Sequence, residues 1–286
     1  MAFVENEGAH IHWHEVGDGE PLVLIMGLGC SSTMWFRLAP RLARKHRVIM
    51  LDNRGVGQTE AKYFVVHRVP TMASDVVAVL EAARESSAHI LGFSMGGMIA
   101  QQVAIDFPER VRSLTLLATN CGSPYAILAD PKVTNLLFDK GNQTPEQAFR
   151  VMQPFVYAKD TPGGRIEEDL ALRLATYPSL RGYQAQLNGL LAWTSYSSLP
   201  RLRARTLVLH GLEDQLIPTQ NGRLLAERIP DAQLIEMPGA SHWAHTDRTD
   251  VIAAAVQSFV SGRPALPTKG PQDRPLNSIL ASVRKK

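Results

Sequence analysis

Three side chains, far apart in the chain, have the types and surroundings that nucleophilic chemistry needs. Ser94 lies in Gly92-x-Ser94-x-Gly96, after the apolar run Ala88-His89-Ile90-Leu91 and before a segment whose Ile99, Val103 and Phe107 share one helical face. Strand, Gly-x-Ser-x-Gly, helix is the pattern of a nucleophile elbow. So sharp a turn strains the backbone at its corner and lifts the hydroxyl into the open, and the residues two before and two after must be small to avoid collision. A serine is a poor nucleophile at its own pKa, so a base and an acid that orients the base are required. The acid is expected on a loop after a later strand. Thr206 to His210 reads as that strand, and Gly211-Leu212-Glu213-Asp214 follows it with two candidate carboxylates. The base is expected after the last strand, where Gln233 to Met237 is followed by Pro238-Gly239-Ala240-Ser241-His242. His242 is the candidate, and His245 is the rival at the start of the final helix. Such a set would attack a carbonyl and pass through an acyl-enzyme.

The elements that must carry these groups are legible as alternating runs. Ala9 to Val16 alternates, Leu22-Val23-Leu24-Ile25 and Val48-Ile49-Met50-Leu51 are continuous apolar runs, and Leu114-Thr115-Leu116-Leu117 is another. Continuous runs of this length suit strands covered on both faces. Between Thr71 and Ser86, Met72, Val76, Val79, Leu80 and Ala83 fall on one helical face. From ~123 to ~200 the alternation stops, and helix-like patterns are broken by Pro124, Pro131, Pro145, Pro154, Pro162 and Pro178. Strand and helix then alternate again, with helices expected over Pro218 to Arg228 and Val251 to Val260. This is the pattern of an α/β protein with a parallel sheet and a helical insertion.

Composition removes several function classes. The 286 residues carry a formal charge of +3, but residues 262–286 hold six Lys/Arg against Asp273 alone, leaving 24 bases and 26 acids for the rest. A slightly acidic body is a poor partner for nucleic acid. Cys30 and Cys121 are too few for a disulfide framework and show no metal-ligand spacing. The longest apolar run, Leu22 to Leu28, falls far short of the ~20 residues that span a bilayer. The acidic start Met-Ala-Phe-Val-Glu-Asn-Glu-Gly lacks the apolar stretch of a secretory signal. A soluble, cytoplasmic protein is expected; oligomeric state is not legible.

Taken together, Leu22–Gly29, Asp52-x-Arg54-Gly55-x-Gly57, Gly92–Gly97, Pro108-Glu109-Arg110-Val111, His210-Gly211-x-Glu213-Asp214 and Gly239-x-x-His242 resemble the α/β-hydrolase fold superfamily over roughly residues 8–262. Within it they resemble the esterase and enol-lactonase branch and the C–C hydrolases of meta-cleavage products. The resemblance implies a mostly parallel eight-stranded sheet with a helical cap inserted after the sixth strand. The expected parts are 1–122 and 201–262 for the core, 123–200 for the cap and 263–286 for a basic, Pro-rich tail. The order Ser94, Asp214, His242 is the order of that fold, and the resemblance selects Asp214 over Glu213. It also implies an oxyanion hole from the N–H groups of Met95 and of Leu28, in Met26-Gly27-Leu28, where relatives carry His-Gly-x.

The implied function is a serine hydrolase of a carboxylic ester or lactone, a medium-sized and partly apolar small molecule, with no metal or organic cofactor. C–C bond hydrolysis is the rival: His242-Trp243-Ala244 resembles those enzymes and Arg173 could meet a substrate carboxylate, although Phe93 stands where they tend to carry Asn. Perhydrolysis would use the same triad, and a ligand-binding protein on the same scaffold is the non-enzyme alternative. Arg173, Trp193 and Trp243 are the expected substrate contacts. His12 and His14 are read as a surface strand face rather than a metal pair, Asp52 and Arg54 as loop braces, and Cys30 as a buried thiol.

Overall fold

In the computed structural model, which describes residues 2–61, 66–138 and 143–263, the apolar runs become the inner strands of one sheet. Its eight strands are β1 (Ala2–Asn6), β2 (Ala9–Val16), β3 (Glu20–Ile25), β4 (His46–Leu51), β5 (Ala88–Phe93), β6 (Val111–Leu117), β7 (Thr206–Gly211) and β8 (Gln233–Met237). They lie in the order β1-β2-β4-β3-β5-β6-β7-β8. β1 pairs with β2 and β2 with β4 in antiparallel fashion, and every later pairing is parallel.

The helices are α1 (Ala39–Leu42), α2 (Val69–Ala82), α3 (Met95–Asp106), α4 (Pro131–Asn135), α5 (Pro145–Val156), α6 (Gly163–Ala175), α7 (Leu180–Leu191), α8 (Gln220–Arg228), α9 (Ala244–Asp247) and α10 (Thr249–Val260). The period of two along a strand sorts the core into two layers. Leu22 and Leu24 of β3 join Leu42 of α1 and Ile252, Val256 and Phe259 of α10. Val23 and Ile25 join Val76 and Leu80 of α2, Ile99 and Val103 of α3 and Leu225 of α8. A parallel sheet covered on both faces results, as the unbroken apolar runs require.

Helices α4 to α7 lie between β6 and β7. The chain leaves and rejoins the sheet at one place, for Gly122 forms a bridge with Thr194 and Ser195 N–H donates to Cys121 O at 2.9 Å. No helix among the described residues is long and apolar enough to cross a membrane. Of the basic tail, only Arg263 is among the described residues.

Two local findings differ from the sequence reading. β1, which no run in the sequence pointed to, completes the eight strands as an edge strand, half-buried in alternation, whose Phe3, Val4 and Glu5 pair with β2. His12 is not on a surface face. It is 3% exposed, covered by the Phe3 ring at 5.3 Å, and its Nδ1 meets Asp52 Oδ2 at 2.9 Å. This edge strand and the 52–59 loop bury a strand face that would otherwise meet water.

Candidate active site

The corner between β5 and α3 shows why its glycines are needed. Ser94 has φ 55° and ψ −121°, outside the regions an L-residue favours. A Cβ on Gly92 would strike the Gly96 carbonyl, and one on Gly96 would strike the Ile25 carbonyl. The strained residue is held by its neighbours: Ser94 N–H donates to Leu117 O at 3.0 Å and Thr119 Oγ1 donates to Ser94 O at 2.7 Å.

The structure brings the three separated residues together. His242 Nε2 lies 3.2 Å from Ser94 Oγ, and His242 Nδ1 lies 2.9 Å from Asp214 Oδ2. Asp214 lies three residues past the end of β7, in the loop that leads to α8, and is buried. Its Oδ1 accepts the N–H groups of Leu216 at 3.0 Å and Ile217 at 2.8 Å, and Oδ2 lies 3.4 Å from His210 Nε2. Burial alone would raise this carboxyl, but the charge of His242 and the hydrogen bonds from His210 and His242 hold it at about 2. An ionised Asp214 fixes the tautomer of His242 that leaves Nε2 free to accept a proton.

The alternatives left open in the sequence separate by geometry. Glu213 points to the insertion, where Lys159 N–H donates to its Oε2 at 3.3 Å. His245 is buried among Trp35, Phe93 and Trp243, with ring centroids 5.4, 4.7 and 5.4 Å away. Burial, helped by the charges of His242 and Arg37, pushes it down to about 3.

The two residues expected to supply the oxyanion N–H groups, Leu28 and Met95, both line the cavity beside Ser94. Met95 opens α3, so its N–H has no partner within the helix. Gly27 and Leu28 line the cavity with Ser94 and Met95, and Gly27 lets the loop approach, since a Cβ there would sit 3.1 Å from Ser94 Cβ. Met26 goes into the core at 1% exposure. The loop is braced instead by Asn53 Nδ2, which donates to Met26 O at 2.8 Å, and by Gln186 Oε1, which accepts Gly29 N–H at 2.8 Å.

Above these groups is a cavity of about 210 Å³, roofed by apolar side chains of the insertion such as Leu137, Phe149, Met152 and Leu187. Of the expected substrate contacts, Arg173 and Trp243 line it. Arg173 Nη1 donates to Cys30 Sγ at 2.8 Å and its guanidinium lies 5.3 Å from the Trp243 ring centre. No carboxylate among the described residues forms an ion pair with it. Trp193 does not line the cavity. Its indole donates to Gln102 Oε1 at 2.6 Å, and its ring joins the core beside α3.

Asp52 and Arg54 brace loops, as expected. Asp52 accepts Ser32 N–H at 2.7 Å and Gln58 N–H at 2.9 Å, and Arg54 pairs with the buried Asp75 at 2.7 Å. Sequence reasoning missed the bracing roles of His210, Asn53 and Gln186. His210 stood in a quoted motif, but nothing in that motif separates a strand end from a partner of Asp214.

A family model described as the alpha/beta hydrolase fold matches residues 20–249. The chain is 32% identical over 246 residues to a poly(3-hydroxyalkanoate) depolymerase of Ectopseudomonas oleovorans, covering 84% of each chain. It is 29% identical over 263 residues to the protein assigned as carbamate hydrolase RutD in Azorhizobium caulinodans, covering 91% of this chain and 98% of that one. Among solved structures, Est816, described as an N-acyl homoserine lactone degrading enzyme, superposes with a TM-score of 0.78 at 26% identity, covering 90% of this chain and 99% of its own. Sheet order, the strained serine corner and the run of similarity through all three loops lead to one placement: the chain is a hydrolase that belongs to the α/β-hydrolase fold family.

Proposed function

We propose that this hydrolase cleaves a carboxylic ester or lactone through an acyl-enzyme on Ser94. The observation that carries the reading is the unbroken run Ser94 Oγ, His242, Asp214, with contacts of 3.2 and 2.9 Å, on the floor of a mostly apolar cavity. Ser94 Oγ attacks the carbonyl carbon and passes its proton to His242 Nε2. Asp214 holds the imidazole and stabilises its charged form. The carbonyl oxygen becomes an anion, held in this reading by the N–H groups of Leu28 and Met95; such donors often supply the largest share of catalysis. The tetrahedral adduct collapses as His242 gives the proton to the departing alkoxide. Water, activated by the same histidine, then attacks the acyl-enzyme and releases the acid and Ser94. An ester substrate also agrees with the relative named for a polyester.

Intact-mass spectrometry with a fluorophosphonate tests the reading. A single adduct is expected, absent in Ser94→Ala, with turnover of p-nitrophenyl esters lost in the same variant. No adduct and no turnover would sink it.

Arg173 favours a second reading. A cation facing an apolar cavity without a protein carboxylate suits a substrate anion, which fits C–C hydrolysis of a dienoate dione as well as an acidic ester. Arg173→Ala is expected to raise KM for carboxylate-bearing substrates about tenfold or more while leaving neutral esters within twofold. Loss of dienoate dione absorbance without ester turnover would decide for C–C cleavage.

A further inference from the structure

The backbone N–H groups of the residues on either side of His242 are held from outside its own turn. Trp243 N–H donates to Val156 O, at the end of α5, at 2.8 Å. Ser241 N–H donates to Asp247 Oδ2 at 2.8 Å. Asp247 is in turn gripped by the link between α5 and α6: Thr161 Oγ1 donates to its Oδ1 at 2.6 Å and Ala158 N–H reaches its Oδ2 at 3.3 Å. One buried carboxylate, 4% exposed, therefore accepts from the residue before the base and twice from the insertion.

The carboxylate does not line the cavity and touches neither Ser94 nor Asp214. Burying it is costly, for desolvation raises its carboxyl to about 6 against the hydrogen bonds it receives. A carboxylate offers two acceptor oxygens and no donor, whereas an amide offers one oxygen and two donors. The carboxylate accepts Ser241 and Ala158 on one oxygen and Thr161 on the other, whereas an amide would turn an N–H toward one of these partners and force the Thr161 hydroxyl to reverse. The neighbouring residue repeats the connection: Thr246 Oγ1 donates to the buried Asp169 of α6 at 2.7 Å, and Arg165 Nη1 to Thr246 O at 2.9 Å.

We propose that Asp247 is a positioning residue for hydrolysis, tying the alignment of His242 with Ser94 to the seating of residues 156–161 of the insertion. The inference rests on the reading of Ser94, His242 and Asp214 as the hydrolytic set. Misplacing a reacting group by about 1 Å costs on the order of 100-fold, and a base whose flanking amides hang on the insertion is exposed to such a shift.

Asp247→Asn, which keeps the shape and loses one acceptor, is expected to lower kcat for a p-nitrophenyl ester about 10- to 100-fold. KM should stay within twofold, and the rate of fluorophosphonate labelling of Ser94 should fall in step. Thr161→Val should lose less in the same direction, and Asp247→Glu should retain more activity than Asp247→Asn. The low-field proton resonance of the His242 Nδ1–H···Asp214 bond should shift or broaden in Asp247→Asn. A folded Asp247→Asn with a lower Tm but unchanged kcat, labelling and resonance would overturn the proposal. Should Asp247→Asn not fold, Thr161→Val decides, unchanged kcat and resonance again overturning it. Should the wild type neither label nor turn over, the hydrolytic reading fails on its own, and the resonance alone then settles whether Asp247 holds His242.

Discussion

At Asp214 two opposed effects meet on one carboxyl group. Burial favours the proton, while His242 and His210 favour the charge, and the charge wins at about 2. Folding thus prefers the ionised form, so this stability is present above about pH 4 and is lost as pH falls toward 2. Asp214→Asn should remove that dependence, and urea unfolding at pH 5 and pH 3 should show the gap between wild type and variant narrowing at the lower pH. On the proposed mechanism the same variant should lower kcat by about 10⁴, because an amide facing Nδ1 favours the wrong tautomer. A loss of less than tenfold would mean that Asp214 does not orient the base.

At the scale of elements, the decisive contact is the one between α3 and β3. Gly96 lets the first turn of α3 rest on the carboxyl end of β3, where a methyl group would meet the Ile25 and Met26 carbonyls. Gly96→Ala cannot be absorbed by rotating a side chain, since the clash is with backbone. It is expected to cost about 2–4 kcal/mol in denaturant unfolding and to reduce ester turnover with it. A stability change below 0.5 kcal/mol would show that the helix can slide. Such elements were legible in the chain because each parallel strand is covered on both faces and so carries an unbroken apolar run, as in Leu22–Ile25 and Leu114–Leu117. The elbow was legible because its sterics leave so few residue types. β1 was not, for an edge strand buried on one face carries only the short alternation Phe3-Val4-Glu5, which a loop could equally show. The insertion was legible as helical but not in its facing. Trp193 and Trp243 are the same residue type, and only packing sends one beside α3 and the other to the cavity. Asp247 was hidden for a related reason. An acid near the start of a helix is ordinary, and two of its three donors, from Ala158 and Thr161, come from positions that only the fold brings near.

Across the whole molecule, acid should act through histidines rather than through the charged surface. Burial lowers His67 to about 4, with the Arg54 charge adding to it, and lowers His89 to about 4; His245 falls to about 3 for the same cause. The folded state binds fewer protons at these sites than the unfolded chain, so their neutral form is accommodated above about pH 6.5. Stability then falls as pH drops from there toward 4. Asp247 works the other way, its raised carboxyl favouring the folded state as pH falls through about 6, so the net loss is smaller than the histidines alone would give. Unfolding free energy is expected to decline by a few kcal/mol, on the order of one per buried histidine, between pH 7 and pH 4.5, with His245→Phe flattening the curve. A wild-type curve level over that range would contradict these burials.

The single point where the chain leaves and rejoins the sheet, Gly122 against Thr194, makes residues 123–193 a unit that could be exchanged by grafting. The strands alone would accept any segment that closes the same short gap. The loops above them would not, since Gly29 N–H takes its acceptor from Gln186 and Trp243 N–H takes its acceptor from Val156. A transplanted segment would therefore bring a new substrate chamber at once, but would bring full turnover only if it also carried a carbonyl at that height and donors for the acid below it.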